Sequence, residues 1–314
     1  MHKEEKIALI FPGQGAQFPG MGKDVYTHFP QAKQIYETAD HYLKRDFSQL
    51  IFESSAEVLK ETCNSQLAIY ITCSALWAVF RELFPDLSIY ACAGLSLGEY
   101  VALYVAGKIT FQEGLELVHI RAKGMQEACE KNVGSMRVVL GLSPEEIAHI
   151  LPSDVWIANL NCPGQVVIAG LKEALEKSVT ILQEKGAKKV IPLEVSGAFH
   201  TPLMDIALQK LAPRIDALHI KKSPCLLAMN VPGDFVEDPE LIKEFLKRQV
   251  VSPTQWEKSI RRMVAEGIER FIEIGPGTTL TGMNRKIGIS SSCLHSIQGK
   301  EDMESLQQLQ IERA

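Results

Sequence analysis

Gly94-Leu95-Ser96-Leu97-Gly98 is a G-x-S-x-G pentad whose surroundings give it a chemical reading. An apolar run over residues 89–93 leads into it, and a helix-like segment over 99–106 follows and stops at Gly107. In that setting the serine stands on a sharp strand-to-helix turn. The two glycines let strand and helix pack closely, while Ser96 takes a strained backbone conformation that presents its hydroxyl at the top of a sheet. The helix N-terminus behind it favours developing negative charge. The competing reading is an ordinary strand-to-helix turn.

A nucleophilic serine needs a base. Of the eight histidines, His28, His41, His119, His149 and His219 fall in helix-like segments, His2 is terminal and His295 comes late. His200 instead directly follows a run over 189–195 that reads as a buried strand, in the loop Ser196-Gly197-Ala198-Phe199-His200. Thr201 then reads as an N-cap, with Pro202 in the first turn of a helix. A capping-loop histidine without chemistry is the plainer alternative. No Asp or Glu between Ser96 and His200 stands out in a sheet-edge loop, so a dyad oriented by a backbone carbonyl is the expected form. Arg121 is the third residue of interest. Thr110 and Glu113 make a capping box that opens a helix, and its apolar positions are Phe111, Leu115, Val118, Ala122 and Met125. Arg121 borders that stripe and points partly inward, where a guanidinium needs a carboxylate partner from the protein or from a substrate.

The elements that hold these residues read as an α/β body with a parallel sheet. Residues 7–11 are continuously apolar, as for a strand covered on both faces. The Gly-rich loop that follows, Pro12-Gly13-Gln14-Gly15-Ala16-Gln17, lacks the spacing of a phosphate cradle. It lies at the carboxyl edge of the sheet, where its backbone N–H groups can form half of an oxyanion hole. Residues 30–85 read as helices, with 67–80 apolar nearly all round and therefore buried. Residues 225–229 and 270–274 read as further strands, and the tail from Lys300 as a surface helix. Between 134 and 195 the order strand, helix, strand, strand, helix, strand is a ferredoxin-like arrangement inserted into the body. The expected division is a body of residues 1–130 and 196–314 with an insert of residues 131–195.

Composition narrows the class. The 314 residues carry a net charge of −5, which gives no sign of nucleic-acid binding. Seven cysteines are scattered, without C-x-x-C spacing, which argues for a reducing compartment and against a disulfide framework or a metal site. The first apolar run is too short for a signal peptide and no later one reads as a membrane span, so a cytoplasmic protein is expected.

Six motifs together carry a resemblance. They are residues 11–17, the elbow at 94–100, residues 121–127, residues 161–170, Gly197-Ala198-Phe199-His200, and Gln249-Val250-Val251-Ser252-Pro253. In this order, and nearly end to end, the chain resembles the malonyl-CoA:acyl-carrier-protein transacylases. The resemblance implies an α/β-hydrolase-like body with a ferredoxin-like small subdomain, Ser96 as the acylated nucleophile and His200 as its base. It further implies oxyanion-hole amides from Gln14 and Leu97, Arg121 on the malonyl carboxylate, and the Gln249 carbonyl orienting His200. Malonyl-CoA and acyl carrier protein are the implied partners, with no cofactor, no metal, no nucleic acid, no membrane and a monomeric state. Fatty acid synthesis is the expected destination, with polyketide synthesis or a serine esterase or thioesterase as alternatives, and a non-enzymatic scaffold disfavoured. Acyl carrier proteins are acidic as a class, so the expected docking surface is basic. Candidates are Lys185-Lys188-Lys189, Lys221-Lys222, Arg261-Arg262 and, nearest the site, Arg285-Lys286. One departure stands out: Leu95 replaces a histidine usual in the family.

Overall fold

Continuous apolar runs become buried strands, as their lack of alternation requires. A computed structural model describes residues 5–311, so His2 lies outside the described residues. Its strands are β1 (Ile7–Phe11), β2 (Ile89–Gly94), β3 (Gly134–Leu140), β4 (Val155–Cys162), β5 (Gln165–Leu171), β6 (Lys189–Pro192), β7 (Leu226–Met229), β8 (Asp234–Phe235), β9 (Arg270–Ile274) and β10 (Leu294–Ile297). They form a six-stranded sheet ordered β10-β9-β1-β2-β7-β8 and a four-stranded sheet ordered β4-β5-β3-β6. In the larger sheet β10, β9, β1, β2 and β7 run parallel, and β8 is antiparallel at the edge. All five residues of β1 are buried, and each large apolar side chain there stabilises the fold by roughly 1.5–3 kcal/mol. The fold class is the expected one, an α/β body with a parallel-rich sheet plus a small antiparallel subdomain.

Helices cover both faces of the larger sheet, giving one apolar cluster around the helix Thr62–Leu83 and a second around Trp256, Ile260 and Phe271. Thr62–Leu83 is long and apolar enough to cross a membrane, contrary to the expectation that no segment would be. However, 83% of its most apolar window is buried inside the protein, where it serves as a core helix. The tail helix Lys300–Ile311 is less superficial than its polar sequence suggests, because Met303 and Leu306 are buried in the main core. β8 and β10 escape the sequence reading, since a two-residue edge strand and the half-polar run Leu294–Ile297 carry little pattern.

The small sheet is antiparallel throughout, with the two helices Pro144–Ile150 and Lys172–Glu184 between its strands, as the ferredoxin-like order predicts. Its edge strand β4 is tied to the body. The Asn159 Nδ2 donates to Thr254 Oγ1 at 2.6 Å, and the Leu160 N–H and the Thr254 carbonyl bond at 2.9 Å. The strand before His200 is a correction: β6 is a short, largely exposed edge strand that ends at Pro192, not a buried strand running into the loop. Pro192 brings no N–H to the ladder, one further bond from the Leu193 N–H to the Met136 carbonyl at 3.1 Å closes it, and residues 194–201 run irregularly back to the body.

Candidate active site

The turn after β2 is as tight as its glycines imply. A Cβ on Gly94 would lie 1.9 Å from the Gly98 carbonyl carbon, and one on Gly98 would lie 2.1 Å from the Phe11 carbonyl oxygen. Only glycine permits that approach between β1, β2 and the helix Gly98–Val105. Ser96 sits at φ 53°, in the left-handed region that costs a non-glycine residue roughly 1–3 kcal/mol. Two side chains brace it. The Asn230 Oδ1 accepts from the Ser96 N–H at 2.7 Å, and the Gln249 Nε2 donates to the Ser96 carbonyl at 2.9 Å.

His200 also has a positive φ, 60°, and its ring is buried. Its Nδ1 lies 2.8 Å from the Gln249 carbonyl oxygen and its Nε2 lies 2.7 Å from Ser96 Oγ. A carbonyl can only accept, so the proton of the neutral ring resides on Nδ1 and Nε2 offers a lone pair to the serine hydroxyl. Burial and the nearby Arg121 charge hold the imidazole pKa down to about 4, so the ring is neutral at physiological pH.

Arg121 lies near the middle of the helix Phe111–Lys131, whose capping box forms as expected. Its side chain is wholly interior at 1% exposed, deeper than the stripe-edge position suggested. Its guanidinium donates from NH1 to Gln66 Oε1 at 2.5 Å, and from NH2 to Ser96 Oγ at 2.9 Å and Gln249 Oε1 at 3.1 Å. Among the described residues no carboxylate forms an ion pair with it, and its Nε is buried without a partner. Burial pulls its pKa down, while Tyr100 and Glu99 push it up.

Gln14, Ser96 and His200 line a cavity of about 300 Å³ together with Met136, Asn161 and Val167 from the small sheet. Leu95 faces the same space as an apolar wall. Among the described residues the backbone N–H groups of Gln14 and Leu97 have no intramolecular acceptor, and the Leu95 N–H to Phe11 carbonyl bond of 3.0 Å links their two loops. Ser96, His200, Arg121 and Gln249 thus meet at one point, with Gln14 lining the same cavity and Leu97 following the serine in the chain. No group of three or more His, Cys, Asp or Glu that could hold a metal ion occurs among the described residues.

Three residues of this cluster escape a reading of the sequence: Gln66, Glu99 and Asn230. Glu99 is the lone acid of an otherwise apolar helix, and Asn230 directly follows a strand at the carboxyl edge of the sheet. Both positions are signals available in the sequence. Gln66 lies on a helix buried on all sides, and nothing in its spacing sets it apart.

The model of the acyl transferase domain family matches residues 8–309. The malonyl CoA-acyl carrier protein transacylase of Bacillus subtilis (strain 168) is 42% identical over 290 residues, covering 90% of each chain. The chain belongs to the malonyl-CoA:acyl-carrier-protein transacylase family. The crystal structure of the transacylase from Clostridium perfringens superposes with a TM-score of 0.91 at 34% identity, covering 98% of both chains. A malonyl-transacylase solved in complex with a type II polyketide synthase acyl carrier protein matches with a TM-score of 0.91 at 33% identity, over 97% of this chain and 100% of its own. Both likenesses run over nearly the whole chain.

Proposed function

We propose that this protein transfers a malonyl group from coenzyme A to the phosphopantetheine thiol of an acyl carrier protein through an acyl-Ser96 intermediate. The Ser96 hydroxyl attacks the malonyl thioester while His200 Nε2 takes its proton. The tetrahedral oxyanion is held by the Gln14 and Leu97 amides, coenzyme A leaves as the thiol after taking that proton, and malonyl-Ser96 remains. The carrier thiol then gives its proton to His200 and attacks the ester, and His200 passes that proton to the departing Ser96 oxygen, which frees the serine hydroxyl and yields the malonyl carrier. The Gln249 carbonyl keeps the His200 ring in the tautomer both steps need, and Arg121 pairs with the malonyl carboxylate. Malonyl-CoA is a substrate, and these steps call on no further cofactor.

The observation that carries this reading is the position of Arg121. A buried guanidinium held by two carboxamide oxygens, within 2.9 Å of the serine oxygen, keeps its charge for an acyl group that brings a carboxylate. A plain esterase has no use for it. We assign the product to fatty acid synthesis; the relative that serves a polyketide carrier makes polyketide synthesis the second reading. The same reading divides the chain into a catalytic body of residues 1–130 and 196–314 and an insert of residues 131–195. A four-stranded sheet lying wholly between 134 and 192 supports that division. The test is the intact mass of the protein after brief exposure to malonyl-CoA. A malonyl adduct is expected on the wild type and not on Ser96→Ala, and an adduct that survives the substitution overturns the assignment.

A further inference from the structure

Behind the reacting atoms lies a carboxylate that the mechanism above does not use. Glu99 is completely buried in the first turn of the helix that follows Ser96. Every group that faces its oxygens is a donor. Oε1 accepts from the Asn230 backbone N–H at 2.6 Å and from Asn230 Nδ2 at 3.1 Å, and Oε2 accepts from Gln249 Nε2. A carboxamide has one accepting and one donating end, and each of these two could turn either way round. Glu99 removes that freedom. With Asn230 Nδ2 drawn to Glu99 and to the Gly94 carbonyl, Asn230 Oδ1 must face the Ser96 N–H. With Gln249 Nε2 drawn to Glu99 and to the Ser96 carbonyl, Gln249 Oε1 must face Arg121.

We propose that Glu99 is the positioning residue of this site: as an acceptor-only anion it fixes the direction of the Asn230 and Gln249 carboxamides, which clamp the strained Ser96 peptide and aim the Arg121 guanidinium at the acyl group. The proposal rests on the acyl-Ser96 reading above. It explains how Arg121 has an anion nearby without a carboxylate bonded to its guanidinium, because Gln249 stands between the two. The charged or titratable groups around Glu99 are Arg121 on the helix Phe111–Lys131, Tyr100 on its own helix and, one bond further through the Gln249 carbonyl, His200. A protonated Glu99 would bring a hydrogen that none of its three facing donors can accept. Burial pushes the carboxyl up to about 7 against the pull of those donors, so the ionised clamp is lost as pH falls through that value. His200, held near 4, does not titrate in that range.

The experiment is rapid-quench mass spectrometry of Ser96 acylation between about pH 5.5 and 8.5, on wild type and Glu99→Gln. Glutamine keeps shape and burial but turns an N–H₂ toward the Gln249 N–H₂. The wild type is expected to slow below about pH 7. The variant, folded by circular dichroism, is expected to lack that acid limb, to acylate with malonyl about 10- to 100-fold more slowly at the alkaline end, and to lose less with acetyl-CoA. A residue that merely held the fold would cost stability and leave the pH profile unchanged. A variant with the wild-type rate and acid limb overturns the proposal. Should the variant not fold, the wild-type profile decides alone: a limb near pH 7 supports it and a flat profile overturns it. A wild type that takes malonyl on Ser96 beside an unaltered variant removes only the role of Glu99, whereas a wild type that takes none removes the acyl-Ser96 reading as well.

Discussion

Arg121→Ala is expected to separate malonyl from acetyl substrates. The guanidinium is buried, its hydrogen-bond acceptors are the Gln66 and Gln249 carboxamides and the Ser96 hydroxyl, and no protein carboxylate forms an ion pair with it among the described residues. A malonyl carboxylate entering beside Ser96 therefore meets a guanidinium that no protein carboxylate touches. Removing one partner of such a buried charged pair costs about 2–5 kcal/mol, which at ~1.4 kcal/mol per decade is roughly 30- to 4,000-fold in kcat/KM. Acetyl-CoA brings no charge and should be used as well as before or better. The fold should survive, because burial already disfavours the Arg121 charge and alanine removes a desolvated cation rather than an ion pair. Stopped-flow release of coenzyme A thiol from each substrate, with circular dichroism of the variant, measures all three quantities. Equal loss of both substrates in a folded variant would refute the assignment to the carboxylate, and a variant that does not fold would make Arg121 a structural residue instead.

His200→Ala should slow acylation by several orders of magnitude, since base and nucleophile act as a unit, and near-normal rates would place the base elsewhere. The same variant has a stability signature. The folded imidazole titrates near 4 and the unfolded one near the ordinary 6.5, so the wild type loses stability through this group as pH falls across that window. Urea unfolding at the two ends of the window should show His200→Ala gaining on the wild type toward acid, and a constant difference would contradict the depressed pKa. Leu95→His should change the rate by less than about tenfold, or ~1.4 kcal/mol, because the Ser96 and His200 contact does not run through that position, and steady-state transfer assays would reveal a larger gain. Charge reversal at Arg285 and Lys286 should raise the KM for the carrier but not for malonyl-CoA, most steeply at low salt. Both are exposed and Lys286 bonds Gln165, which lines the cavity, whereas Arg261 and Arg262 are already paired with Glu257, Asp234 and Glu266.

Residues set in sharp local geometry were legible without coordinates. Gly94 and Gly98 report a turn that only glycine tolerates, and Thr110 with Glu113 announces a helix that must carry Arg121 to a fixed place. The orientation of the site by a backbone carbonyl was legible from the absence of an acid, and the Gln249 carbonyl fills that role geometrically. What did not show was whatever depends on residues meeting from distant segments. Gln66 meets Arg121, and Glu99 meets Asn230, only when separate elements pack at the end of β2, and no local period encodes those meetings. The approach to His200 was misread for a related reason. The apolar residues after Lys189 suggested a buried strand, but Ile191 is exposed at the sheet edge, and Leu193 and Val195 are covered by the main core and by lining the cavity.

The sheet order has a consequence for synthesis. β1 pairs on one side with β2 and on the other with β9, whose partner residues Arg270 to Glu273 lie about 260 positions further along the chain. At roughly 5–20 residues per second the ribosome takes about 13–50 s to deliver them after β1 has emerged. For that interval a fully apolar strand presents an unpaired edge, a template for pairing with another nascent chain. Since Ser96, Arg121, His200 and Gln249 all hang from this sheet or its connections, the protein cannot be switched on piecemeal. Production at lowered translation rate lengthens the exposed interval, whereas a chaperone that covers β1 shortens its danger without touching the finished enzyme.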